Sequence, residues 1–147
     1  MVSAASIIST ISDSKALLLF KAIAASDNDC SKILITKLNL TRKQFYSRIE
    51  ELTNADLVKR IRGRYILTSL GKIIFSMILK METAIEYYWK LKAIDSILLS
   101  ANTAVPEQES HKILDMLIDD HQIKDLFVAN NNSNKLGLPL TIAAQKN

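Results

Sequence analysis

Between Lys72 and Val105 the chain carries neither glycine nor proline, and only three glycines and two prolines occur in all 147 residues. So few chain-breakers cannot supply the many tight turns of a sheet-rich fold, and a mainly α protein is expected. With 48% hydrophobic and 23% charged residues, the sequence holds enough apolar side chains to enclose a core. Its most apolar stretch, Ile73 to Leu79, is short, contains Ser76 and lies between Lys72 and Lys80. A bilayer-crossing helix needs about 20 apolar residues, so no membrane partner is expected. The opening MVSAASIISTISDSK lacks the basic start of a secretory signal, which leads to the expectation of a cytoplasmic protein. Cys30 is the only cysteine. It allows no internal disulfide and no cysteine-based metal cluster, and it is expected as a small buried side chain rather than a redox thiol.

The net charge of +4 is unevenly spread. Residues 31–80 hold eleven Lys or Arg against Glu50, Glu51 and Asp56, whereas the rest of the chain holds eight basic and twelve acidic residues. One part is thus suited to an anionic partner and the other is not.

Along the chain, Asp13 or Ser14 is placed to cap a first helix through KALLLFKAIAAS, with Leu17, Phe20 and Ala24 at helical spacing. A short second helix is expected over Ser31 to Leu38, with Ile33, Leu34 and Leu38 facing inward. Thr41 and Gln44 have the spacing of a capping box, in which each side chain satisfies the other's free backbone amide. They start a third helix from Arg42 to Asn54 with Phe45, Ile49 and Leu52 as its core stripe. Leu57 to Leu67 contains two β-branched segments around Gly63 and reads as a tight hairpin. Thr68 caps a fourth helix whose apolar spacing runs through Ile74, Met77, Met81, Ile85, Tyr88 and Leu91. A helix from 69 to about 99 would be ~45 Å long, either a protruding arm or kinked near Lys92. A loop at 100–104, a helix opened by Pro106, and a short helix capped by Asp119-Asp120 complete the folded part. The asparagine run at 130–134 ends it, and 131–147 is expected as a flexible tail.

The order helix, helix, turn, helix, hairpin, helix resembles the winged helix-turn-helix superfamily. The likeness is carried by Leu40-Thr41, Ile49 and Leu52, Leu57-Val58, and Tyr65-Ile-Leu-Thr68-x-x-Gly71. It is most similar to the short archaeal regulators and, more broadly, to the MarR and ArsR groups. Relatives usually carry Gly where Asp56 stands, a position needing a left-handed backbone that Asp tolerates better than most residues. The resemblance implies three helices and a two-stranded wing within residues 1–80, a long C-terminal helix, and a helical dimerisation region over 81–130. It also implies a DNA-binding transcription regulator that acts as a homodimer, associates with the nucleoid and needs no cofactor.

The residues fit that chemistry. A recognition helix presents polar and basic groups near its N-terminus to base edges and phosphates. Thr41, Arg42, Lys43, Gln44, Tyr46 and Ser47 supply this set, with Arg42 or Lys43 suited to guanine and Gln44 to adenine unless its cap occupies it. Lys59, Arg60, Arg62 and Arg64 crowd four charges around Gly63, with no acid between Leu57 and Leu67. This wing is suited to phosphates or the minor groove. Met77, Met81, Ile85, Tyr88 and Leu91 form the expected dimer seam, and the Tyr87-Tyr88-Trp89 cluster reads as interface rather than effector pocket. His111, Asp115 and His121 invite a metal-sensor reading, but their spacing departs from ArsR-like sensors, and no metal is expected. No local motif suggests catalysis. Two other readings remain open: a protein-binding winged helix of a transcription or replication assembly, and a sequence-neutral chromatin protein.

Overall fold

Which helices form is decided largely by short polar caps, and a computed structural model describes them over residues 2–26, 29–100 and 106–135. The elements run α1 (Ala4–Ser12), α2 (Ser14–Ala25), α3 (Ser31–Lys37), α4 (Arg42–Asn54), β1 (Val58–Ile61), β2 (Arg64–Leu67), α5 (Ser69–Glu86), α6 (Tyr88–Ser100), α7 (Glu107–Leu117) and α8 (His121–Lys135). The protein is mainly helical with one small two-stranded antiparallel sheet among the described residues. No helix there is long and apolar enough to cross a membrane. The chain divides into two units, Met1–Leu79 and Lys80–Asn147.

In the first unit α1 begins with a reciprocal box, in which the Ser6 amide donates to Ser3 Oγ and the Ser3 amide to Ser6 Oγ. The sequence reading assigned no helix here. Asp13 then ends α1 and caps α2 by accepting from the Ala16 amide at 3.0 Å. Left-handed residues terminate the next two helices: Asn39 (φ 49°) follows α3 and Asp56 (φ 56°) follows α4. Both residue types tolerate that conformation through local polar contacts.

The helices close over Leu19, Phe20, Leu34, Phe45, Leu52, Leu57 and Val58, all essentially inaccessible to water. Phe20 meets Phe75 edge to face at 6.2 Å, and Phe45 meets Tyr65 at 5.8 Å. Each such side chain contributes about 1.5–3 kcal/mol by leaving water. Two positions differ from expectation. Ile33 lies on the outer side of α3, where Leu34 takes the core position. Cys30 is exposed, because its backbone is drawn into an isolated antiparallel bridge with Arg64 at the border of the sheet.

The second unit packs Ile94, Leu114, Ile118 and Ile123 together, with Tyr87, Leu91 and Phe127 against them. The expected single helix from 69 to 99 is two helices, and the interruption is at Tyr87 rather than near Lys92. Tyr87 and Leu91 both turn into this core, which fixes the chain at that point. Asp120 caps α8 by accepting from the Ile123 amide at 3.0 Å. The last helix is longer than expected and continues through the asparagine run to Lys135. Part of the expected tail, 131–135, is therefore helical, while 136–147 and the expected loop residues 101–104 lie outside the described residues.

Candidate nucleic-acid interface

The N-terminus of α4 is built by its capping box. The Gln44 amide donates to Thr41 Oγ1, and the Thr41 amide donates to Gln44 Oε1, both at 3.2 Å. Gln44 is half-buried, and the carbonyl oxygen that would accept from adenine is oriented toward the Thr41 amide. Its role is to start the helix. Thr41, Arg42, Lys43, Tyr46 and Ser47 are exposed, and Tyr46 rests edge-on against Phe45 at 5.3 Å. Ser47 Oγ lies 3.5 Å from Glu51 Oε1, one turn further along.

A residue overlooked in the sequence orients this helix. Arg48 donates through Nε to Asp13 Oδ2 at 2.7 Å and through a terminal nitrogen to the Gln44 carbonyl oxygen at 3.2 Å. The Arg48 guanidinium holds the Asp13 carboxyl below the usual carboxylate range. One carboxylate thus caps α2 and tethers α4. The only sequence signal was an Asp at a cap and an Arg beside the core stripe, 35 residues apart.

The hairpin pairs Val58 with Leu67, Lys59 with Ile66, Arg60 with Tyr65 and Ile61 with Arg64. Arg62 (φ 49°) and Gly63 (φ 80°) form the connection. Two consecutive positive φ values define the turn whose twist suits a two-residue hairpin, normally built from Asn-Gly or Asp-Gly. Arg at its first position carries a left-handed strain that a glycine or asparagine would largely avoid.

Strand alternation separates the four wing cations, which the sequence treats as one cluster. Val58, Arg60, Tyr65 and Leu67 share the inner face, and the Arg60 guanidinium stands 5.8 Å above the Tyr65 ring. Lys59, Ile61, Arg64 and Ile66 share the outer face, with Arg62 at the tip. Ile61, Arg62, Arg64 and Ile66 line an open cleft of about 410 Å³. Arg42, Lys43, Lys59, Arg62 and Arg64 are all exposed, and none of these cations has an acidic partner among the described residues.

The wing is clamped at its base. Thr68 Oγ1 donates to the Asp56 carbonyl oxygen at 2.5 Å and accepts from the Gly71 amide at 2.9 Å, while the Thr68 amide donates to the Leu57 carbonyl at 3.1 Å. Gly71 is required here, because a Cβ would overlap the Leu57 carbonyl oxygen. These bonds join the end of α4, both strands and the start of α5, which ties the hairpin to the helix beside it.

The expected dimer seam is divided. Met77, Met81 and Ile85 recur every four residues along α5 and are exposed, as is Tyr88 at the start of α6. Leu91 is instead committed to the second unit's own core. Of the aromatic cluster expected at the interface, Trp89 is 74% exposed and meets Tyr88 edge-on at 5.0 Å, whereas Tyr87 packs against the second unit's core. Elsewhere, His111 and His121 flank the Asp115–Lys124 ion pair of 2.8 Å, which holds the Asp115 carboxyl below its usual range. Among the described residues no three His, Cys, Asp or Glu groups are placed to share a metal ion.

No protein-family model, curated protein or solved structure matches this chain.

Proposed function

We propose that residues 12–80 are a winged helix-turn-helix that binds double-stranded DNA, and that the chain is a transcription regulator working as a homodimer without catalysis. The observation that carries the reading is the joint exposure of five unpaired cations, Arg42 and Lys43 on α4 and Lys59, Arg62 and Arg64 on the hairpin. Cations held apart from acids in this way repel one another, and the dense phosphates of a duplex offset that repulsion. In this reading α4 enters the major groove and the wing reaches phosphate or the minor groove. The unpaired faces of Met77, Met81, Ile85 and Tyr88 join two copies. Such pairing would present two recognition helices about one DNA turn apart. Location at the nucleoid belongs to the same proposal.

Titrating a labelled random duplex at several salt concentrations tests it. If all five cations meet phosphates, the logarithm of the affinity falls with the logarithm of salt at a slope of about −4.5 per protomer. Affinity that ignores salt rejects DNA as the ligand. That outcome would favour the second reading, a protein-binding wing, which draws support from Ile61 and Ile66 beside the cations on the outer face.

A further inference from the structure

An acid stands in the middle of the proposed recognition surface. In a helix of 3.6 residues per turn, Lys43, Ser47 and Glu50 fall within about 60° of one another. That line lies opposite Phe45, Ile49 and Leu52, which are buried. Arg42 and Tyr46 lie on one flank of it. Glu51 lies on the other flank and is engaged with Ser47. Glu50 is exposed, and no cation pairs with it among the described residues.

An unpaired carboxylate facing a polyanion opposes binding wherever it meets phosphate. It is tolerated where it meets a donor. In the major groove the exposed donors are the amino groups of cytosine and adenine, and a carboxylate, which only accepts, suits the cytosine N4 amino group. Lys43, one side chain earlier on the same line, only donates and suits the O6 and N7 acceptors of guanine. Ser47 between them serves as donor or acceptor and discriminates less. Seven residues of helix advance about 10 Å, the rise of about three base pairs.

We propose that Glu50 is a specificity-determining residue that reads cytosine, with Lys43 reading a guanine two to four base pairs away. This rests on the DNA-binding reading. It replaces the assignment suggested by sequence, in which Gln44 reads adenine. Gln44 is spent on its cap, and the base-reading line runs through Lys43, Ser47 and Glu50.

The test is selection of bound fragments from a random duplex pool with the full-length protein, its Glu50→Gln variant and its Lys43→Ala variant. Both substitutions are on the exposed face of α4, and circular dichroism checks that each variant folds. The parent should select a half-site containing guanine and cytosine at that spacing. Glu50→Gln should move the cytosine position toward adenine, because an amide both accepts from N6 and donates to N7. It should also bind random duplex more tightly, having lost a negative charge, while its preference for the parent site falls about tenfold. Lys43→Ala should erase the guanine alone. If the parent selects a site that Glu50→Gln leaves unchanged, the inference is overturned and DNA binding stands. If the parent selects nothing and binds without salt dependence, both fall.

Discussion

The two units differ in how they treat their largest side chains. The first encloses Phe20, Phe45, Leu19 and Leu52 completely and turns Arg42, Lys43, Arg62 and Arg64 outward. The second encloses Ile94, Leu114, Ile118 and Ile123, yet leaves Trp89 at 74% and Met116 at 82% exposed. The first also leaves Tyr46, Ile8 and Met77 more than half exposed, so what sets it apart is the complete burial of Phe20 and Phe45. A unit that leaves its only tryptophan outside is unfinished in its packing. Exposed apolar surface of that kind marks a place where something else binds. In the proposed reading the cations of the first unit meet the polyanion, and the exposed apolar residues from Met77 to Tyr88 join two copies.

The most severe challenge to that contrast is truncation of apolar side chains in each unit. Phe45→Ala should remove about 3–5 kcal/mol, since the ring is fully buried against Tyr65 and Tyr46. Met116→Ala, which shortens a side chain that is 82% exposed, should change stability by less than about 0.5 kcal/mol. Urea unfolding followed by circular dichroism measures both. Equal effects would mean that Met116 is covered in solution, which would itself locate an interface.

A charge placed on the apolar face should act on assembly rather than on folding. Ile85 is 64% exposed, so Ile85→Glu meets little resistance within its own chain. In a homodimer it would put carboxylates into the seam, and light scattering should report half the parent mass. The parent's single tryptophan offers a second reading: Trp89 emission should shift to the red on dilution if pairing shields the ring. A parent that already has the mass of one chain would remove the dimer from the proposal.

Arg62 allows stability and binding to be set against each other at one position. Asn adopts its left-handed backbone more readily and forms the preferred Asn-Gly turn, so Arg62→Asn should stabilise the protein by about 0.5–1 kcal/mol. The same change should weaken duplex binding and lower the salt slope by about 0.9, the share of one phosphate contact. A variant that gains stability and keeps its affinity would show that the tip of the hairpin touches nothing.

How much of this was legible in the sequence follows from how local each device is. The box of Thr41 and Gln44, the left-handed Asp56, the turn at Gly63 and the cap at Thr68 each act over a few residues, and their residue types announce them. α1 escaped notice because its cap is a pair of serines in a serine-rich stretch, which reads equally well as a loop. What depends on distant neighbours was hidden. Cys30 is exposed because its backbone meets Arg64, and Leu91 is taken out of the seam by the core around Ile94. Periodicity showed that the helix after Thr68 has an apolar face, but not where Tyr87 divides it. Among the site residues, sequence identified the cations but not their separation by the register, which sends Arg60 to Tyr65 and Lys59 and Arg64 to the opposite face.

The smallest expected effect lies in the contact between Asp13 and Arg48 that tethers α4. Asp13 is partly exposed and its pKa is lowered, chiefly by the hydrogen bond from Arg48, against the opposing effect of burial. A carboxyl with a depressed folded pKa binds fewer protons in the native than in the unfolded state. Its contribution is therefore complete above the unfolded carboxylate pKa and is lost as pH falls through the folded one. Asn at position 13 keeps a side-chain oxygen to accept from the Ala16 amide, so Asp13→Asn removes the charge and spares the cap. At pH 7 the variant should be less stable by on the order of 0.5 kcal/mol, the scale of a solvent-screened pair. As pH falls below the unfolded carboxylate pKa the gap should narrow, because the parent is then losing the same charge. Asp115, whose pKa is also lowered, titrates alike in both proteins and cancels in the difference. A gap that is constant from pH 7 to pH 3 would mean the charge pair with Arg48 adds nothing to stability, leaving α4 held by its core stripe and by the Thr68 clamp at its end.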